Sequence, residues 1–140
     1  MTRILIADDH EVMRRGVRSL LEAKPEWEIC GEAADGREAV AQVVALKPDL
    51  VVLDLTMPVL NGLHAAKEIR RISPSTKIVI FTLHDSAHVA TEARGAGADA
   101  VVVKSASAER LVETIERLVA QPAVDEVSVV RTGGARQNSR

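Results

Sequence analysis

Short apolar runs alternate along the chain with stretches whose apolar residues recur at helical spacing. Five runs of four to seven residues are predicted to be strands: Thr2–Ala7, Trp27–Ala33, Leu50–Leu53, Lys77–Phe81 and Ala100–Val103. The stretches between and after them are predicted to be helices: Glu11–Ala23, Gly36–Leu46, Leu63–Ile72, Ala87–Ala96 and Ser107–Val119. Strands that alternate with helices in this way predict an α/β fold, a doubly wound parallel sheet with helices on both faces.

The apolar pattern also predicts which positions are buried. Leu50–Leu53 is apolar without interruption, as expected of a strand that is covered on both faces. In the second helix, Val40, Val43 and Val44 are predicted to point inward. The inner face of the fourth helix is mostly alanine, which favours either a helix that packs loosely and can shift or one that packs closely on the sheet.

Length, composition and charge exclude several classes of protein. The 140 residues suffice for one domain with a full core, and 18 basic against 20 acidic residues leave a net charge of −2. The chain lacks the excess of basic residues that is typical of nucleic-acid-binding proteins, so we expect no direct DNA binding. No apolar run has the length of a membrane span, no signal peptide precedes the first strand, and a single cysteine suits a reducing setting, so we expect a cytoplasmic protein. The single cysteine, Cys30, cannot form an internal disulfide and is predicted to be a small buried hydrophobic residue.

The periodic pattern stops after Gln121-Pro122. We therefore predict one domain over residues 1–121 and a flexible C-terminal tail over residues 122–140, which contains Gly133-Gly134 and a polar end. The valines of this segment could form one further short strand or dock on a neighbour.

Four of the five predicted strands end in residues that can bind a metal ion or a phosphate. Asp8 and Asp9 follow the first strand, Asp54 the third, Thr82 the fourth and Lys104 the fifth. In an open parallel sheet, ligands bind outside the carboxyl ends of the strands. The sequence therefore predicts one pocket that holds three carboxylates, one hydroxyl and one ammonium group.

These groups together suit phosphoryl transfer. Three neighbouring carboxylates repel one another and raise each other's proton affinity, and a divalent cation such as Mg²⁺, which prefers oxygen ligands, would relieve the repulsion. Lys104 and Thr82 would neutralise charge on the transferring oxygens, while a carboxylate that attacks phosphorus gives an acyl phosphate. Taken singly, each residue has a simpler interpretation: Asp9 could cap the first helix, Asp54 could open a turn, and Lys104 could be solvated.

The strand-end segments resemble the receiver domain of two-component response regulators. They are Ile-Ala-Asp-Asp-His at 6–10, Asp-Leu-Thr-Met-Pro-Val-Leu-Asn-Gly at 54–62, Phe-Thr-Leu-His-Asp at 81–85 and Gly-Ala-Asp-Ala-Val-Val-Val-Lys-Ser at 97–105. The resemblance covers about residues 2–120 and is greatest to the NarL/FixJ (LuxR-type) subfamily, through Asp-Asp-His-Glu-Val and Lys-Ser. It implies that residues 1–121 form a receiver domain with a flavodoxin-like (βα)5 fold and the strand order 2-1-3-4-5.

The resemblance also implies roles for the pocket residues. Asp54 would accept a phosphoryl group from a histidine kinase or a phosphotransfer protein, Thr82 would move toward that group, and Lys104 would bind one of its oxygens. Mg²⁺ would be held by three side chains and one backbone carbonyl: Asp8, Asp9, Asp54 and the carbonyl of Thr56. The chain would be a switch and not an enzyme, with at most self-phosphorylation from small donors and autodephosphorylation. The subfamily likeness further suggests a weak homodimer.

Two departures from the family leave alternatives open. Val101 stands where the family usually carries Tyr or Phe, and the subfamily's helix-turn-helix domain is absent, so the chain is either a single-domain receiver or the receiver part of a transcription regulator. One alternative is an interaction module that works without phosphorylation. The other is a magnesium-dependent phosphatase with an aspartyl nucleophile, although Asp54-Leu55-Thr56 lacks the second acid of the Asp-x-Asp pattern typical of such enzymes.

Overall fold

A parallel sheet of five strands forms the centre of the computed structural model, which describes residues 1–120. The strands are β1 (Thr2–Ala7), β2 (Trp27–Ala33), β3 (Leu50–Asp54), β4 (Lys77–Thr82) and β5 (Ala100–Val103). The helices are α1 (Glu11–Glu22), α2 (Gly36–Leu46), α3 (Gly62–Ile72), α4 (Ala87–Gly95) and α5 (Ala108–Val119). The order β2-β1-β3-β4-β5 confirms the predicted doubly wound, flavodoxin-like fold. The tail predicted for residues 122–140 lies outside the described residues and stays a prediction.

The two faces of the sheet bury separate apolar clusters because side chains alternate along each strand. On one face, Leu5 and Val51 pack with apolar residues of α2, α3 and α4. On the other face, Ile4 and Val52 pack with apolar residues of α1 and α5. β3 is buried along its whole length, which explains its uninterrupted apolar sequence.

Two predictions about buried residues were wrong. Val44 is 59% exposed, because α2 turns Val40 and Val43 toward the sheet and leaves the next position on the solvent side. Cys30 is only half-buried, because β2 is an edge strand with one side uncovered. Its thiol lies 3.5 Å from the carbonyl oxygen of Ile4, and burial raises the pKa of the Cys30 thiol.

The helix beginnings decide one of the alternatives left open by the sequence. Side chains cap α2, α3 and α4, where Asp35, Asn61 and Ser86 each accept a hydrogen bond from the backbone N–H three residues on. The N-cap position of α1 is His10, which makes no such bond. Asp9 therefore does not cap α1, and its carboxylate is left for the pocket.

Among residues 1–120, no helix combines the length and apolarity that crossing a membrane requires.

Candidate functional site

The polar residues that follow the strands meet at the carboxyl edge of the sheet. β1 and β3 are neighbours, with Ala7 opposite Leu53, so the residues that follow them lie side by side. One oxygen from each of Asp8, Asp9 and Asp54 lies within 4.8 Å of the others. The three carboxylates that the sequence predicted to converge are therefore together in the structure.

Lys104 links two of these carboxylates from the other side of the pocket. Its Nζ lies 3.0 Å from Asp8 Oδ2 and 3.3 Å from Asp54 Oδ1, and the three side chains are only 4 to 5% exposed. The ammonium also lies 5.7 Å from the centre of the Phe81 ring. A buried cation between two buried carboxylates is costly to form unless each charge is paired, and here the geometry pairs them.

Asp8 and Asp9 differ in how firmly they are held. The backbone N–H of Asp8 donates to the Ala33 carbonyl at 3.0 Å, and Asp8 Oδ1 accepts from the backbone N–H of His10 at 2.9 Å. Asp9 is exposed, and its Oδ1 lies 3.3 Å from Nδ1 of His10. Asp8 is thus a fixed, buried carboxylate, whereas the Asp9 carboxylate is accessible to solvent.

The charge balance of the pocket is unfavourable for the ionised form of Asp54. Burial raises the pKa of the Asp54 carboxyl above its ordinary value, and the neighbouring charge of Asp8 raises it further, while Lys104 acts in the opposite direction. Three carboxylates and one ammonium leave excess negative charge in a small volume. Clustered carboxylate oxygens are the donors that Mg²⁺ prefers, so the residues present fit this ion.

The loop after Asp54 turns sharply. The Leu60 N–H donates to the Pro58 carbonyl at 2.7 Å across Val59, whose φ of 69° is in the left-handed region. Gly62 then comes so close to Asp54 that a Cβ would lie 2.3 Å from its carbonyl oxygen. Thr56, which lies within this loop two residues after Asp54, is exposed.

Thr82 and Val101 lie on β4 and β5, the two strands beyond β3. Thr82 ends β4, is fully buried, and its Oγ1 accepts a hydrogen bond from the backbone N–H of His84 at 3.1 Å. The carbonyl of Thr82 accepts from the backbone N–H of Lys104 at 2.6 Å, which ties the ends of β4 and β5 together. Val101 is half-buried against the apolar cluster of α2, α3 and α4.

Two residues near the pocket were missed from the sequence. His10 contacts both Asp8 and Asp9, although the sequence showed it only as part of a motif. Arg14 donates from Nη1 to the Asp8 carbonyl at 2.7 Å. A signal for Arg14 was available, because it lies three residues before Val17 and so places a charge on the inward face of α1.

Comparison with known proteins gives consistent matches. The family described as the response regulator receiver domain matches residues 4–116. The chemotaxis protein CheY of Thermotoga maritima is 40% identical over 116 residues, which are 83% of this chain and 96% of that protein. The transcriptional regulatory protein DegU of Brevibacillus brevis is 33% identical over 119 residues, 85% of this chain, but only 50% of DegU is spanned. The crystal structure of a LuxR-family two-component response regulator from Aurantimonas sp. SI85-9A1 is similar with a TM-score of 0.83 at 39% identity, covering 88% of this chain and 89% of that one.

Proposed function

Because the chain belongs to the receiver domain family of two-component response regulators, we propose that it is a phosphorylation-activated switch whose phosphoacceptor is Asp54. Receiver domains are signalling switches and are generally not classed as enzymes. One observation supports the assignment above all others. Asp54 is a buried carboxylate at the centre of the carboxyl edge, with a second carboxylate and the Lys104 ammonium in contact range.

The proposed reaction moves a phosphoryl group from a phosphohistidine to Asp54. An Asp54 oxygen forms the new P–O bond as the P–N bond to the donor histidine breaks, which gives an acyl phosphate. Lys104 Nζ, already 3.3 Å from Asp54 Oδ1, then pairs with a phosphoryl oxygen, and the Thr82 hydroxyl donates to another. The donor is a histidine kinase or a phosphotransfer protein.

Mg²⁺ is the cofactor that we propose for this reaction. Its ligands would be three side chains and one backbone group: Asp8, Asp9, Asp54 and the carbonyl of Thr56. When bound, the ion would offset the charge that builds up on the phosphoryl oxygens. Asp9 is the most accessible of the three carboxylates, and Asp8 and Asp54 are held in place by Lys104.

Intact-mass spectrometry after incubation with acetyl phosphate tests the acceptor. In the presence of Mg²⁺ the wild-type chain should gain one phosphoryl group, and Asp54→Asn should gain none. Asp85→Asn is the matched control, because Asp85 is an exposed aspartate in the loop after β4 and lies outside the carboxylate cluster. Equal labelling of wild type and Asp54→Asn would refute the assignment.

A second candidate is an interaction module that works without phosphorylation, and Val101 favours it. A large aromatic ring at this position could change its packing when Thr82 moves, whereas the half-buried valine offers little such movement. Partner binding that is unaffected by acetyl phosphate would support this candidate. The phosphatase alternative gains no support, because Thr56 supplies no carboxylate two residues after Asp54.

A further inference from the structure

We propose that Arg14 is a positioning residue for the metal-binding edge, because its guanidinium fixes the peptide group that joins Asp8 to Asp9. The inference rests on the proposed function, since Mg²⁺ is the ligand that these carboxylates would hold. It concerns a residue on α1 that touches neither Asp54 nor the carboxylate oxygens of the cluster.

The contacts of Arg14 point in two directions. Its Nη1 donates to the Asp8 carbonyl at 2.7 Å, and its Nε donates to Glu32 Oε1 at 2.8 Å. The side chain is only 17% exposed. Because the guanidinium is planar and rigid, the bond to Glu32 on β2 determines where Nη1 points, and hence where the Asp8 carbonyl is held.

Glu32 is itself a firm anchor. Arg18 donates to its second oxygen, and Gln42 of α2 donates from Nε2 to its backbone carbonyl at 2.6 Å. The guanidinium groups of Arg14 and Arg18 hold the pKa of the Glu32 carboxyl below its usual value, which reflects how closely the two cations pair with it. Two helices and the edge strand are therefore linked, through Arg14, to one backbone carbonyl.

This link matters most for Asp9. A peptide group is planar, so fixing the Asp8 carbonyl also fixes the direction of the Asp9 N–H and Cα. The Asp9 side chain is 32% exposed, and its contact with His10 at 3.3 Å involves a side chain that is 73% exposed. The backbone, rather than side-chain packing, thus sets the point from which the Asp9 side chain extends toward the cluster.

Positioning and charge predict opposite effects when Arg14 is removed. A cation close to a metal site repels Mg²⁺, so loss of the charge alone would tighten metal binding. Loss of an outer partner that orients a ligand typically weakens metal binding by about 10- to 100-fold. The sign of the change therefore separates the two effects.

The experiment compares Arg14→Met with Arg18→Met in the full chain, because both remove one arginine that pairs with Glu32 and only Arg14 reaches Asp8. Mg²⁺ is titrated and followed by the amide NMR signals of Asp8 and Asp9. We expect binding about tenfold weaker in Arg14→Met, and binding within about twofold of wild type in Arg18→Met, since Arg14 keeps its bonds to Glu32 and to the Asp8 carbonyl there. Failure of the wild-type chain to bind Mg²⁺ would instead refute the proposed function.

Arg14→Lys and Arg18→Lys form a second pair that keeps the charge beside Glu32 and serves if Arg14→Met does not fold. A lysine has a single ammonium group and cannot bond Glu32 and the Asp8 carbonyl at once through a rigid planar group, as the guanidinium of Arg14 does. Arg14→Lys should therefore bind Mg²⁺ severalfold more weakly than Arg18→Lys. Equal Mg²⁺ binding by both members of either pair, or tighter binding by the Arg14 variants, would overturn the proposal.

Discussion

Replacement of Lys104 by methionine should destabilise the protein strongly in Mg²⁺-free buffer. Methionine keeps most of the volume of the side chain but removes the cation between Asp8 and Asp54. The two carboxylates are almost fully buried, so water cannot take the place of the ammonium. The substitution therefore leaves two like charges facing each other in a region that excludes solvent.

The distances allow the loss of stability to be worked out. At 3.0 and 3.3 Å, with an effective dielectric constant of about 20, each ion pair has a Coulomb energy of about 5 kcal/mol. Methionine avoids the cost of desolvating the ammonium, which offsets most of the roughly 10 kcal/mol that the two ion pairs contribute together. We expect a net loss of about 3 kcal/mol in the free energy of unfolding, within the range measured when one partner of a buried pair is removed.

Urea unfolding followed by circular dichroism at neutral pH measures this loss, with EDTA and with saturating Mg²⁺. The deficit should fall to about half or less in Mg²⁺, because the ion replaces the missing positive charge. Lys67→Met on α3 is the matched control, since Lys67 is exposed and its loss should change stability by less than about 0.5 kcal/mol. A Lys104→Met deficit below about 1 kcal/mol in EDTA, or one that Mg²⁺ leaves unchanged, would refute the reasoning.

Other substitutions give further expected outcomes. The pKa of Asp54 in the folded protein is raised above 3.8, so ionisation of Asp54 lowers the stability of the wild-type protein at neutral pH. Asp54→Asn should therefore be more stable than wild type in EDTA. Urea titrations should show this advantage disappearing as the pH falls through the raised pKa and below 3.8, because Asp54 is then neutral in both the folded and the unfolded state. Gly16→Ala should stabilise α1 by about 1 kcal/mol in calorimetry, because a Cβ there meets only open space. Gly36→Ala should destabilise by about 3 kcal/mol, because its Cβ would lie 1.8 Å from the Leu60 carbonyl oxygen. An advantage of Asp54→Asn that persists at low pH, or a reversed order of the two alanine variants, would contradict these expectations.

The strands and helices could be predicted from the sequence because the buried side of each one carries apolar residues at the spacing typical of that element. β3 could be recognised as a central strand from Leu50–Leu53 alone. The strand order came from the family resemblance, since apolar spacing does not say which strands are neighbours. Val44 was misplaced because its spacing from Val40 and Val43 puts it on the same side of α2, whereas the face that is buried is centred on Ala39 and Val43 and leaves Val44 at its edge.

The pocket was also predictable as a group, because parallel strands bring their carboxyl ends to one edge. The pairing of Lys104 with both Asp8 and Asp54 was not, since it depends on distances set by the packing of β5 beside β4. The contact of Arg14 with the Asp8 carbonyl needs α1 docked on β2, which no local pattern encodes. The left-handed φ of Val59 could not be predicted from the sequence either, because valine rarely adopts a positive φ.

An experimental structure of the chain with Mg²⁺ and beryllofluoride, a mimic of the phosphoryl group, measures the proposed site most directly. We expect the beryllium atom to be bound to a carboxylate oxygen of Asp54 and the ion to be in contact with Asp8, Asp9, Asp54 and the Thr56 carbonyl. Lys104 Nζ should have left Asp8 Oδ2, where it now lies at 3.0 Å, to contact a fluoride atom. An ion bound away from the three carboxylates, or beryllofluoride bound to a residue other than Asp54, would contradict the proposed switch.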